Sequence, residues 1–112
     1  MPWIKPKSTL GTEDVAAGSP MVYDPTPVVI PGGGIGRVVV VQIQKTVPKS
    51  KIEDGPAPPD TSQWNNGRLL KTIPFDLDDR ARGQVVNELP GGLVLVDFTY
   101  VSGVVADEDI QR

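Results

Sequence analysis

Two stretches of the chain alternate side chains with the period of a β-strand. In 37–47 one face carries Val39, Val41, Ile43 and Val47, while the other changes from Val38 and Val40 to Gln42, Gln44 and Thr46. In 93–101 one face carries Val94, Val96, Phe98 and Tyr100. Successive side chains of a strand point to opposite faces, so both stretches predict long strands with one buried face. The first half of 37–47 is apolar on both faces, which predicts that this strand starts between two layers.

The shorter apolar runs predict weaker elements. Proline cannot donate a ladder hydrogen bond, so 21–23 and 28–30, separated by two prolines, are predicted as edge strands or extended segments. Asn66-Gly67 predicts a tight turn before a strand over 68–73. Residues 12–17 could form one helical turn capped by Thr12.

A short helix is predicted over 76–82. Asp76 can cap it, acidic residues fill its first turn, Arg80 and Arg82 fill its last turn, and Gly83 suits a left-handed C-terminal cap. Continuing the helix would align Leu77, Ala81, Val85 and Leu89. The alternative for 84–89 is a strand, ended by Pro90-Gly91-Gly92.

Composition sets the fold class. The chain has 112 residues with 16 valines, and β-branched side chains favour sheets over helices. It also has 12 glycines and 12 prolines, concentrated in 2–6, 18–36, 48–59 and 90–92. We therefore predict a mainly β protein: a small β-sandwich or barrel over 31–106 with a Pro-rich loop at 48–60. An extended N-terminal arm over 1–30 precedes it, and an acidic tail over 107–112 follows.

Several function classes are disfavoured by what the sequence lacks. Without cysteine or histidine it has no disulfide framework, no thiolate chemistry and no neutral-pH general base of the usual kind. Its net charge is −3 and it has no dense basic run, which argues against nucleic acid. The longest uninterrupted apolar run, 38–41, is far too short to span a membrane, and no secretory signal is evident. We expect no cofactor.

Two motifs could suggest ligand binding, but we favour a structural interpretation of each. The glycines of 32–36 precede a strand, whereas a phosphate-binding loop opens a helix, so we interpret them as a hinge. Asp76, Asp78 and Asp79 lack the ligand spacing of a calcium loop, so we interpret them as helix-capping charge.

Asp97 interrupts an apolar strand. An ionised group there is costly unless it is paired, so we expect an ion pair with Arg37 or Lys45. A small hydrolase or lyase that uses Asp97 or Glu88, or the other candidate acids Asp54 and Asp60, remains an alternative.

The pattern favours a non-enzymatic structural subunit of a large symmetric assembly. The predicted partner-binding residues are the apolar anchors of the arm and one further tryptophan: Trp3, Ile4, Met21, Tyr23 and Trp64. The most specific setting is a virion, where the chain would be a capsid decoration or cement protein, made in the host cytoplasm, that contacts protein subunits such as the major capsid protein and forms a homo-oligomer. The alternatives are a head–tail connector or tail component, or a soluble cytoplasmic adaptor presenting 48–60 as a proline-rich peptide.

Overall fold

A computed structural model describes residues 2–112 as an all-β protein with two 3-10 turns, at 49–51 and 107–109, and no α-helix. The strands, in chain order, are β1 (Ile4–Pro6), β2 (Thr12–Val15), β3 (Pro20–Tyr23), β4 (Val28–Val29), β5 (Ile35–Pro48), β6 (Ile52–Asp54), β7 (Asn65–Leu69), β8 (Ile73–Asp76), β9 (Arg82–Leu89), β10 (Leu93–Ala106) and β11 (Ile110–Gln111).

Nine of these strands form one antiparallel sheet. Its order is β11-β7-β3-β5-β10-β9-β1-β6, and β4 pairs with the start of β5. Strands β2 and β8 form a separate two-stranded sheet. Neither sheet closes on itself, so of the two predicted alternatives, a small β-sandwich or a barrel, the barrel is wrong.

The two long strands β5 and β10 are confirmed and extend beyond the predicted ranges. They pair from Leu93 opposite Pro48 to Ala106 opposite Gly36, with one register shift between Val101 and Val104. Fourteen residues at about 3.3 Å each span ~46 Å, and the molecule measures 46 × 24 × 23 Å. The β5–β10 pair therefore runs the length of the molecule.

The core lies between the inner face of the large sheet and the small sheet. Phe75 of β8 packs on Tyr100 of β10 with ring centroids 5.3 Å apart. Glu13 of β2 forms an ion pair with Lys45 of β5, so a charge pair also joins the two layers. The core includes the predicted buried faces of both long strands: Val39, Val41, Val47, Val94, Val96, Phe98 and Tyr100.

The predicted helix over 76–82 is wrong. Asp76 ends β8 opposite Thr12, and a tight turn follows in which the Ala81 N–H donates to the Asp78 carbonyl oxygen at 3.0 Å. Leu77 and Ala81 are both fully buried, but a turn brings them into the core and not the apolar face of a helix. Residues 84–89 belong to β9, which confirms the strand alternative.

Three other local predictions are also wrong. Residues 12–15 form β2 because pairing with β8 supplies backbone hydrogen bonds that a single helical turn would lack. Asn66-Gly67 lies within β7, where glycine is needed for space: a Cβ on Gly67 would stand 2.9 Å from Tyr23 Cε1. Strand β3 is not an edge, because it lies between β5 and β7.

The segments predicted as arm, loop and tail mostly pair with the rest of the chain. Within 1–30, of which Met1 lies outside the described residues, the structure forms β1 to β4, so an extended arm is not confirmed. Of the Pro-rich stretch 48–60, residues 48–54 belong to β5, a 3-10 turn and β6, and only the remainder is irregular. The C-terminal Ile110 is buried in β11, which pairs with β7.

Candidate interaction surface

The β4–β5 hairpin stands at one end of the long β5–β10 pair. Val28 lies opposite Gly36 and Val29 opposite Ile35. Three consecutive glycines, 32 to 34, take positive φ values between 90° and 114°, a conformation that L side chains rarely adopt. The turn is closed by hydrogen bonds from the Gly33 N–H to the Ile30 carbonyl oxygen (2.9 Å) and from the Ile30 N–H to the Gly34 carbonyl oxygen (3.1 Å).

This hairpin presents apolar side chains to solvent. Val29 is 75% exposed, Val104 of the adjoining β10 is 48% exposed, Ile35 43% and Val28 37%. We call these four residues the hairpin tip. Exposed apolar residues are normal when scattered, but a group at one end of an elongated molecule indicates a contact surface.

The hairpin tip is apolar on both faces of the sheet. Since Val28 pairs with Gly36, and Gly36 pairs with Ala106, Val28 shares a face with Val104. Val29 and Ile35 share the opposite face. A hairpin of this kind cannot bury its apolar surface by resting one side on its own core.

Gly36 brings β10 close to the hairpin. A Cβ on Gly36 would clash with the Val104 side chain and stand 2.8 Å from the Val105 carbonyl oxygen and 3.0 Å from Ile30 Cδ1. The absence of a side chain at this position lets Val104 and Ile30 pack over the backbone, so that the apolar surface of β10 continues into the hairpin.

Charged groups fix the base of the hairpin. The Arg37 Nε donates to Asp107 Oδ1 at 3.0 Å, and Asp107 also pairs with Arg112. Both guanidinium groups lie against the Tyr23 ring, 5.9 Å away for Arg37 and 5.6 Å for Arg112. Hydrogen bonds from Arg112 and Arg37 lower the pKa of Asp107, which keeps this carboxylate ionised.

The residues predicted to bind a partner are not brought together at one site. Ile4, Met21 and Tyr23 are 6–9% exposed and belong to the core of this chain. Trp3 and Trp64 are half-buried, before β1 and before β7 respectively. The partner-binding role of these five residues stays a prediction, and for three of them the side chain already has contacts within its own chain.

The expected ion pair of Asp97 is wrong. Its carboxylate is exposed and accepts a hydrogen bond from Gln44 Nε2 at 2.6 Å. Arg37 pairs with Asp107 and Lys45 with Glu13 instead. Asp97 lies on the solvent-exposed face of β5 and β10, where solvent and the Gln44 amide stabilise its carboxylate, so no cation is required. Over 2–112, no group of three or more acidic side chains is arranged to hold a metal ion.

Sequence reasoning missed the hairpin tip. The available signal was an apolar run, 28–30, without polar alternation, followed by Pro31, three glycines and another isoleucine. No protein-family model matches the chain, and no curated protein or solved structure is significantly similar to it. Within the part of the chain that the structure describes, no helix is long and apolar enough to cross a membrane.

Proposed function

We propose that this protein is a non-enzymatic structural subunit that contacts other protein subunits of a larger assembly through its hairpin tip. The observation that carries the proposal is the exposure of Val29 and Ile35 on one face of the hairpin and of Val28 and Val104 on the other. Covering both faces requires a partner surface, because neither face can turn onto the chain's own core.

The occupant that we propose is a second copy of this chain. The hairpin tip contains no charged side chain, so two copies can pack their tips together without burying an unpaired charge. Within the described residues β4 pairs only with β5, so its outer edge is also open to a neighbour. A symmetric contact of this kind is the usual basis of homo-oligomers.

The most specific setting that we propose is a virion, with the chain as a capsid decoration or cement protein. A small all-β body with an apolar contact at one end suits a subunit that links neighbours on a lattice. A head–tail connector or tail component is the second setting, and it differs in that the isolated chain should form a discrete closed ring. The adaptor alternative would instead place the partner contact on residues 48–60.

Sedimentation velocity on the purified chain tests the contact. We expect concentration-dependent association, weakened at least tenfold by Val29→Asp, because a carboxylate in the contact would be buried without a partner. Val86→Asp is the matched control, since Val86 is an equally apolar, 53% exposed residue on β9. A chain that stays monomeric at every concentration, or equal weakening by both variants, would contradict the proposal. Detection of the chain in purified virus particles, at a fixed ratio to the shell protein, tests the setting.

A further inference from the structure

The outer face of the large sheet, turned away from β2 and β8, carries an open groove. One part, of about 600 Å³, lies between this face and the proline-rich loop after β6, where Val22, Val40, Pro58 and Pro59 contribute to its lining. A second part, of about 310 Å³, begins at Trp3. The two parts share Gln42 and Thr99, so they adjoin. Volumes of this size are typical of ligand sites.

A row of planar polar side chains crosses the floor of this groove. Gln44 of β5 lies opposite Asp97 of β10, and Asp97 lies opposite Gln84 of β9. Since Ile4 lies opposite Gly83 in the antiparallel β1–β9 pair, Trp3 comes next to Gln84 and completes the row. All four residues line the same cavity.

The groove is preorganised. Gln44 Nε2 donates to Asp97 Oδ1 at 2.6 Å, which orients both side chains and leaves their remaining oxygen atoms available. The Gly55 N–H donates to the Trp3 carbonyl oxygen at 3.0 Å, which fixes the backbone from which the Trp3 side chain projects. Proline rings form part of the opposite wall, so little conformational entropy is lost when a ligand is bound.

Its chemistry selects a neutral, polyhydroxylated ligand. Each glutamine amide offers both donors and acceptors, the combination that matches hydroxyl groups, which also donate and accept. The face of an indole ring carries negative potential and attracts the polarised C–H bonds of a sugar ring. Among the described residues that line the groove, Asp97 is the only one with a charged side chain, so none of these residues neutralises phosphates or sulfates.

We propose that this groove binds a neutral oligosaccharide chain, with Trp3 stacking on one sugar ring and Gln84, Asp97 and Gln44 hydrogen-bonded to the hydroxyl groups of the next. An extended peptide fits less well, because the floor of the groove is a sheet face whose backbone groups are already paired, not an open strand edge. The groove and the hairpin tip share no residue, so this inference does not rest on the proposed assembly role.

The proposal can be tested because one of the two tryptophans, Trp3, lines the groove and the other, Trp64, does not. The full chain is run in native gels that contain a soluble β-glucan, glycogen, a xylan or a galactomannan, with alginate as the anionic comparison. We expect retardation by at least one neutral polysaccharide and none by alginate. Trp3→Ala and Gln84→Ala should each weaken it at least tenfold, whereas Trp64→Phe should bind like the parent, because Trp64 does not line the groove.

The Trp64→Phe chain retains Trp3 as its single tryptophan, so its fluorescence reports on the groove directly. Titration with an oligosaccharide of the retarding type should shift or quench this emission with the affinity seen in the gels. The proposal is overturned if no neutral polysaccharide retards the chain, or if both groove variants bind like the parent while far-UV circular dichroism shows that they are folded. Selective binding of alginate, or of a proline-rich peptide in the same fluorescence titration, would also overturn it.

Discussion

The hydroxyl oxygen of Ser102 accepts a hydrogen bond from the backbone N–H of Val39 at 3.0 Å. Between Val101 and Val104 the register of β10 shifts against β5, so the regular ladder is interrupted at this point. Ser102 is 4% exposed and also donates to the Gly103 carbonyl oxygen. A side chain therefore satisfies a buried backbone group that the bulge in β10 deprives of its ladder partner.

Ser102→Ala should destabilise the protein. The substitution leaves the Val39 N–H buried without an acceptor, which costs about 1–3 kcal/mol of unfolding free energy. Urea unfolding measures this loss. Thr46→Ala is the control, because Thr46 is an exposed residue of the same long strand pair. Equal stability changes for the two variants would mean that water or a local shift satisfies the Val39 N–H.

Gly83→Ala should also destabilise the protein, for a steric reason. A Cβ on Gly83 would stand 2.6 Å from Val96 Cγ1, 3.0 Å from Phe98 Cδ1 and 3.1 Å from Ile4 Cδ1. Forcing an extra methyl group into a packed core typically costs about 1–3 kcal/mol. Thermal and urea unfolding should show this loss, while Asn87→Ala, at an exposed position of the same strand, should change stability by less than about 0.5 kcal/mol. A neutral Gly83→Ala variant would show that the side chains around Gly83 move aside to accommodate the methyl group.

Tyr100→Phe should maintain or increase stability. Tyr100 is fully buried, and within residues 2–112 its hydroxyl is the buried side-chain polar group without a hydrogen-bond partner. Removing an unsatisfied hydroxyl while keeping the ring recovers up to about 1–2 kcal/mol. A loss of more than about 1 kcal/mol would show instead that the hydroxyl has a partner.

The same phenol predicts a sensitivity to alkali. Burial raises the pKa of Tyr100 well above its ordinary value of 10.0, so the folded state holds this proton more tightly than the unfolded chain does. Ionisation of Tyr100 therefore leaves stability unchanged below pH ~10, and stability falls as the pH rises further because the unfolded chain releases this proton first. Unfolding midpoints between pH 9 and 11 should fall less steeply for Tyr100→Phe than for the parent. Equal slopes of unfolding midpoint against pH for the two proteins would contradict the raised pKa of Tyr100.

Asp107 should contribute to stability in the opposite pH range. Hydrogen bonds from Arg112 and then Arg37 lower its pKa, so the unfolded state binds the proton more tightly. The stabilisation is present above the unfolded-state value of ~3.9 and is lost as the pH falls through the lower folded-state pKa. Asp107→Asn should flatten the acid limb of stability between pH 5 and 2. Asp14→Asn, at an exposed position of β2, is the charge-matched control, and equal flattening by the two variants would contradict the prediction.

The large elements were predictable because their signals are local. Alternation over 37–47 and 93–101 identifies β5 and β10, and Pro-Gly-Gly before each strand marks where the chain turns. The helix over 76–82 failed because its caps and charges are equally suited to a tight turn, and Leu77 and Ala81 can be buried by either. The spacing of residues in the sequence could not show that Gly83 is needed because the Val96 side chain leaves no space for a Cβ, rather than because a helix needs a cap.

The candidate sites depend more heavily on register. The sequence places Gln42 and Gln44 on the polar face of one strand and Asp97 in another strand, but it cannot say that Gln44, Asp97, Gln84 and Trp3 form one row. That row exists because β1, from the far end of the chain, pairs beside β9. Likewise, Val104 joins Val28 at the hairpin tip only because β10 reaches past a bulge to pair with the start of β5.

By itself the sequence determined a mainly β chain without cysteine or histidine, with two dominant strands whose buried faces follow from the two-residue period of the β-strand. The tertiary structure alone decided that residues 4–23 complete the large and small sheets and that Ile4, Met21 and Tyr23 are core residues. The proline and glycine content of a segment indicates only its local conformational preference, which is the conformation that it would adopt in isolation. Strand pairing adds hydrogen bonds and apolar burial from residues distant in sequence, and these outweigh that local preference.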